Sequence, residues 1–398
     1  MTSSPLPSWA DQMRALDGVV DELVATWRPD GASEAELQDM NKLALSMLAE
    51  GYLCKVYTDD KRPVFMPLWN YAMNQGGPDP DYVYSSVEID PAGTYRISGF
   101  RGTSRFVEIT QQHQDYLSPA MIGGGGPRVN RTLDLDDLAL GDDGSFSVVV
   151  SAERPAGCDG DWWELDPDAH RMLMRRCSCD WTGEIDARVA IERLDDRGAD
   201  MTPEEIAARF SLMKKWIVGT ISFDMGLVRY YREHHGVNEF KRSQWIDDKG
   251  GLPRQAYYDG IHEIDDTEAL ILETEVPETC RYWQALVGDD RFCTVDLVNR
   301  QSSLNDHQAR IDSDGRFRAV ISRLDPGVPN WLDKGDHPWG IIQMRWNLAS
   351  SYPDPTMEKV PFAEVREHLP TDTPVVSPEE RRESLRRRRE GAQLRRIW

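Results

Sequence analysis

Little in this chain of 398 residues announces a reaction. Basic side chains are the minority, 46 Lys and Arg against 68 Asp and Glu, and the resulting net charge of −22 repels nucleic acid and anionic lipid. Cysteines number six (Cys54, Cys158, Cys177, Cys179, Cys280 and Cys293), and a chain this long has no need of disulfide staples, so reduced thiols are expected. No apolar run is long enough to span a membrane, and the segment Met1 to Ala10 has neither the basic start nor the apolar stretch of a secretory leader; cytoplasmic placement follows as the expectation. Reaction motifs are missing as well. No His-x-x-x-His or Cys-x-x-Cys pair offers a zinc site, and no Gly-x-Ser-x-Gly surrounds a serine. Gly123 to Gly126 are followed by Pro127 and Arg128 instead of the Lys-Ser/Thr of a phosphate loop, and Asp312-x-Asp314-Gly315 lacks the downstream Glu of a calcium loop. No structural zinc is expected, and the leading reading below uses no organic cofactor.

What is present is a repeat. Asp143-Gly144-Ser145-Phe146-Ser147-Val148-Val149-Val150-Ser151 returns as Asp314-Gly315-Arg316-Phe317-Arg318-Ala319-Val320-Ile321-Ser322, at a constant offset of 171 residues that also carries Leu133 to Leu304, Leu140 to Ile311 and Pro155 to Pro326. One copy of such a long period means a duplicated unit and not a solenoid. Further along, Trp163 pairs with Trp331, and Met174-Arg175 with Met344-Arg345; upstream, Arg105-Phe106 corresponds to Arg281-Tyr282. Phe146, Val148 and Val150 alternate with polar residues, as Phe317, Ala319 and Ile321 do, which is the period of a half-buried strand entered through an Asp-Gly turn. A second hairpin is expected before each copy, Tyr95–Gly99 returning through Arg105–Ile109, and Ala269–Thr274 returning through Cys280–Leu286. Short strands with frequent Gly and Pro predict an α+β, mainly β fold: two tandem antiparallel β-sandwiches, jelly-roll-like, with N-terminal, linking and C-terminal helices.

The helices have their own signals. Helix is predicted from Ser8 to about Trp27 and from Ser33 to Glu50, the second opened by a Ser33/Glu36 capping box and closed at Gly51. Thr202-Pro203-Glu204-Glu205 starts another, and the aromatic stretch Trp216 to His235 is predicted to be the buried spine between the domains. Ser377-Pro378-Glu379-Glu380 opens a last helix with eight arginines between Arg381 and Arg396, read as an Arg/Glu-paired helix docked on an acidic body, of this chain or of a second copy in a homo-oligomer. The expected divisions are 1–51 (helices), 52–200 (first sandwich), 201–250 (linking helices), 251–370 (second sandwich) and 371–398 (Arg-rich helix).

One resemblance is carried by Arg300-Gln301-Ser302-Ser303-Leu304-Asn305-Asp306-His307, the turn Asp312-Ser313-Asp314-Gly315 and the loop Pro326-Gly327-Val328-Pro329-Asn330-Trp331-Leu332. These segments resemble the bacterial domain-of-unknown-function family 1214. Pro80-Asp81-Tyr82-Val83-Tyr84-Ser85 and Ile89-Asp90-Pro91 are similar to its companion family 1254, with Tyr82 where that pattern has Thr. The resemblance implies two antiparallel β domains with linking helices and no catalytic role to carry over.

The densest polar segment surrounds His307, with Asn299 and Arg300 before it and Gln308 and Arg310 after it. Such a set can act as acid/base (His307) and charge stabiliser (Arg300, Asn299), with Asp81 and Tyr84 supplied by the other half; equally, it can tie loops and turns together. Arg175 and Arg345, placed alike in both copies, are expected to bridge to an acidic turn of their own domain. The leading reading is a cofactor-independent hydrolase, lyase or isomerase for a small carbonyl- or carboxyl-bearing molecule bound between the sandwiches. The alternative is a non-catalytic binding or assembly protein displaying Trp162, Trp163, Trp331 and Trp339 on loops.

Overall fold

The computed structural model describes residues 7–113, 128–196, 198–243, 252 and 254–396. The Gly123–Gly126 run and Trp398 lie outside them. The helices α1 (Trp9–Ala15), α2 (Val19–Trp27) and α3 (Glu34–Gly51) come first, then strands β1 (Met66–Leu68), β2 (Tyr82–Glu88), β3 (Tyr95–Phe100), β4 (Phe106–His113), β5 (Arg128–Asp134), β6 (Ser145–Ser151), β7 (Asp161–Glu164), β8 (Arg171–Cys177) and β9 (Arg188–Arg193). After α4 (Pro203–Ser211) and α5 (Met213–His234) the strand series repeats as β10 (Phe240–Arg242), β11 (Gln255–Glu263), β12 (Glu268–Glu275), β13 (Tyr282–Val287), β14 (Ser303–Asn305), β15 (Arg316–Ser322), β16 (Trp331–Asp333), β17 (Trp339–Asn347) and β18 (Thr356–Pro361), before α6 (Pro378–Leu394).

The duplication is complete in topology. A five-stranded sheet β1-β2-β8-β4-β5 is matched by β10-β11-β17-β13-β14, and a four-stranded sheet β7-β6-β3-β9 by β16-β15-β12-β18. In each half the two sheets pack face to face: Ile97, Val148 and Val150 of the smaller sheet meet Val107, Ile109, Met172 and Met174 of the larger, as Leu272, Phe317 and Ile321 meet Ala285, Ile342 and Met344. Mainly β, two sandwiches, with helices at the start, middle and end: that much agrees with the sequence.

Several expectations fail on detail, each for a physical reason. The strand after each Asp-Gly turn pairs with its shorter edge neighbour in parallel, β6 with β7 and β15 with β16, so the sheets are not wholly antiparallel. Tyr95–Phe100 does not return through Arg105–Ile109 as a hairpin, nor Ala269–Thr274 through Cys280–Leu286; β3 and β12 lie in the small sheets, β4 and β13 in the large ones. Register also shifts one pairing: Val149 lies opposite Trp162 and Val320 opposite Trp331, so Trp162, not Trp163, is the counterpart of Trp331. The linking region is not all helix, since β10 already pairs with β11 in the second large sheet. The N-terminal helix breaks before residue 19, where Gly18 takes φ +71°.

Gly51 does not close α3. It keeps right-handed helical angles and the chain runs on as a π-helix over Tyr52–Tyr57. What demands glycine there is the close approach of α5: a Cβ would stand 2.4 Å from the Met213 Cε and 2.7 Å from the Trp216 Cδ1. Gly51→Ala is therefore expected to destabilise the fold by ~1–3 kcal/mol of overpacking, read as an earlier urea midpoint; an unchanged midpoint would mean the two helices separate freely. Helix α5 packs Trp216, Ile217 and Ile221 on the N-terminal helices and Val228 and Tyr231 on Ile261 and Ile341 of the second sandwich.

Helix α6 docks on its own chain. Ser377 and Glu380 form its capping box, and three arginines seven residues apart face the body. Arg381 binds Asp325 and lies over Trp331 of the second half, while Arg395 binds Asp186 and the Pro80 carbonyl of the first. Between them Arg388 lies over Trp181 and donates to Ser303. The helix thus straps both sandwiches, and its outward arginines pair with Glu379, Glu383 and Glu390. Among the described residues no helix is long and apolar enough to cross a membrane.

Candidate functional site

Antiparallel register lines up residues from four strands on the outer face of each large sheet. In the first, Tyr84, Arg175, Glu108 and Asp134 run straight across β2, β8, β4 and β5. In the second, Tyr257, Arg345, Gln284 and Asn305 do the same across β11, β17, β13 and β14. The rows are copies of one another with two changes: the acids Glu108 and Asp134 become the amides Gln284 and Asn305. Neither row belongs to its own core, because Val107, Ile109 and Met174 alternate with them toward the small sheet.

They are buried nonetheless, Glu108 at 1% exposure and Gln284 at 0%, because the two faces are turned toward each other. The rings of Tyr82 and Phe106 meet that of Tyr282 across the junction at 5.6 and 6.0 Å, and the Tyr82 hydroxyl donates to Gln255 at 3.2 Å. Equivalent arginines cross in both directions: Arg281 reaches Asp134, Asp136 and Glu108, and Arg105 reaches Asp306 at 2.6 Å and the Arg281 carbonyl.

Not every polar group in this junction finds a protein partner. Among the described residues, Glu108 Oε2, both side-chain heteroatoms of Gln284, Gln255 Nε2, Asn347 Oδ1 and Arg345 Nε are buried without a hydrogen bond. Natural interiors rarely leave such groups unpaired, so their concentration on two facing sheets makes this junction the candidate site. Burial, followed by the neighbouring Asp134 charge, pushes the Glu108 carboxyl up to about 7, which leaves it able to give or take a proton near neutrality. Tyr84 and Tyr257 each accept a backbone N–H from five residues upstream, Asp79 and Leu252, which leaves each phenolic proton for another acceptor.

One edge of the junction is a carboxyl pair. The Tyr282 hydroxyl stands 2.8 Å from Asp79 Oδ2 and 2.7 Å from Asp81 Oδ2. A hydroxyl has one proton, so both contacts are hydrogen bonds only if one carboxyl is protonated. Burial and the nearby Asp79 push Asp81 up to about 7, and Arg345 pairs with Asp79 at 2.8 Å, which assigns the proton to Asp81. The other Asp81 oxygen accepts from Trp181 and Asn305.

The residues picked out by sequence do not converge. Asp81 and Tyr84 belong to the junction. His307 does not: its imidazole is half exposed, 4.0 Å from Asp180, in a groove of about 920 Å3 beneath α6 that Gln308, Trp181 and Arg388 also line. Only its backbone N–H joins the network, donating to Asn305 Oδ1. Arg300 is held by Asp333 and the exposed Asn299 by Asp296. Arg345 does not bridge to an acidic turn of its own domain either, since Asp79 comes from the N-terminal half. Of the tryptophans, Trp331 is buried with its N–H on the Ser322 carbonyl, and Trp162 is half-buried and donates to Ser151. The sequence reading passed over Glu108 and Gln284, whose only signal was equivalence in the two copies.

The class these features define is a duplicated double β-sandwich with a buried polar junction. No family model matches the chain, and no curated protein does. Among solved structures, an uncharacterised protein from Burkholderia cenocepacia shares the fold with a TM-score of 0.80 and 24% identity, over 89% of this chain and 97% of that one. A Vibrio parahaemolyticus protein aligns with a TM-score of 0.44 and 13% identity over 79% of this chain and 100% of its own.

Proposed function

We propose that the junction between the large sheets is the active site of a cytoplasmic, cofactor-independent enzyme acting on a small carbonyl- or carboxyl-bearing molecule. The observation that carries this reading is the set of buried, unpartnered polar atoms around Glu108 and Gln284. Arg175 and Arg345 flank the acid and its amide counterpart across the strands, suited to an oxyanion or carboxylate, and the Tyr84 and Tyr257 hydroxyls lie next in the same rows. A carboxyl titrating at about 7 is suited to general acid/base work, so Glu108 takes the role first considered for His307. Replacement of Glu108 and Asp134 by Gln284 and Asn305 in the second copy makes the site one-sided, with carboxyls in the first row and neutral amides in the second. Hydrolysis, elimination and isomerisation all fit this set. The chain is further read as a divergent relative of the domain-of-unknown-function families 1214 and 1254.

The test is a thermal-shift screen of small keto acids, hydroxy acids, esters and lactones, followed by turnover assays on the compounds that bind. Ligands should raise the melting temperature of wild type and of His307→Ala alike, and lose their effect in Gln284→Leu. Glu108→Gln should keep binding and lower kcat by a factor of about 100 or more. Binding abolished by His307→Ala and untouched by Gln284→Leu would move the site to the groove under α6.

A further inference from the structure

A second pocket, of about 230 Å3, lies where the π-helix, α4 and the ends of β2 and β8 meet, away from the sheet junction. It is lined by Lys55, Arg171 and Arg209, by Asp60 and Glu88, and by His170 and Ile89. Its lining holds three cations against two carboxylates. On a chain whose net charge is −22 that is the reverse of the average surface. The carboxylates are also partly committed: Asp60 faces Arg193 at 3.8 Å, outside the pocket's lining.

The cations are built in from separate elements. Arg171 is buried at 5% exposure. Arg209 is fixed by the Thr58 carbonyl at 2.6 Å, the Lys55 carbonyl at 3.2 Å and Glu88 at 3.1 Å, and Lys55 stands 3.7 Å from the same Glu88. Thr58 itself is buried, and its hydroxyl has no partner among the described residues. Placing positive groups in a recess instead of on open surface focuses their field and favours a compact anion with several acceptor oxygens. Neutral ligands gain nothing from this arrangement.

We infer that this pocket binds a small tetrahedral oxyanion, inorganic phosphate or the phosphoryl group of a small metabolite, independently of the sheet junction. Inorganic phosphate is the probe, used on the full chain at up to 50 mM, with sodium chloride at matched ionic strength as the reference and acetate as the carboxylate arm. Phosphate should raise the melting temperature by about 3 °C once it exceeds its Kd tenfold, and acetate should not. Calorimetric titration should give one phosphate per chain, weakened at least tenfold in Lys55→Gln and in Arg171→Met. Glu108→Gln should bind phosphate as wild type does, which separates this site from the proposed active site. Should Arg171→Met fail to fold, the partly exposed Lys55 decides. No response beyond that of chloride, an equal response to acetate, or a Kd unchanged in Lys55→Gln would overturn the inference.

Discussion

Thermal stability is expected to fall as pH rises from about 5 to 8. Glu50, Asp81 and Glu108 are all pushed up to about 7, burial being the first cause in each. In the unfolded chain such groups titrate near 4, so between about 4 and 7 the folded state holds more protons than the unfolded one. Their contribution is therefore fully present below the unfolded value and is lost as pH climbs through the folded one. Buried Asp224 and Asp259, also raised, act in the same direction. Within this interval His262 opposes them: burial pushes it down to about 4, so it adds stability as pH rises toward 6.5, while carboxyls held low by hydrogen bonds, such as Glu36 and Glu383, have gained most of theirs near the lower end. Several carboxyls against one imidazole leave the net slope negative. Scanning calorimetry in steps of pH checks this, and a melting temperature that is level or rising over the interval would refute it. Asp81→Asn should flatten the curve, by at most ~1.4 kcal/mol per pH unit, because an amide reproduces the protonated acid beside Tyr282 while it cannot ionise.

Asp79→Ala should be the most damaging single change in the junction. Asp79 and Arg345 are 2.8 Å apart, with side chains 0% and 7% exposed. Removing one member of a buried ion pair leaves the other charged and dry, at a cost of ~3–5 kcal/mol, whereas removing both is often far milder. Urea denaturation of Asp79→Ala, Arg345→Met and the double variant checks both statements. A single-variant loss below about 1 kcal/mol, or a double variant worse than either single one, would show that the guanidinium finds water or another acceptor.

Both experiments probe a region that sequence reasoning reached only in part. The duplicated strands were legible because each small-sheet strand is half-buried and alternates cleanly, as Phe146, Val148 and Val150 do. The assumed hairpins were not, because alternation says that Tyr95–Phe100 and Phe106–His113 are strands without saying to which sheet each belongs. Trp163 was matched to Trp331 because the slip in register lies in the loop before β7, where no pattern marks it. The site was missed for a related reason. Phe106, Glu108, Thr110 and Gln112 alternate with Val107, Ile109 and Gln111, which in isolation looks like a face turned partly to water. Only the second sandwich, meeting that face, makes it interior. His307 drew attention through local polar density, yet Asn299, Arg300 and Asn305 use that density to bind Asp296, Asp333 and Asp81.

The reciprocal crossing of Arg105 and Arg281 bears on how the molecule comes apart. Each half keeps the other's ionised and aromatic groups from solvent, so a sandwich parted from its twin would hold out a sheet of tyrosines, guanidiniums and amides evolved for contact. Despite having two cores, the polypeptide should melt as one cooperative body, its halves bound to a common fate by the seam they share.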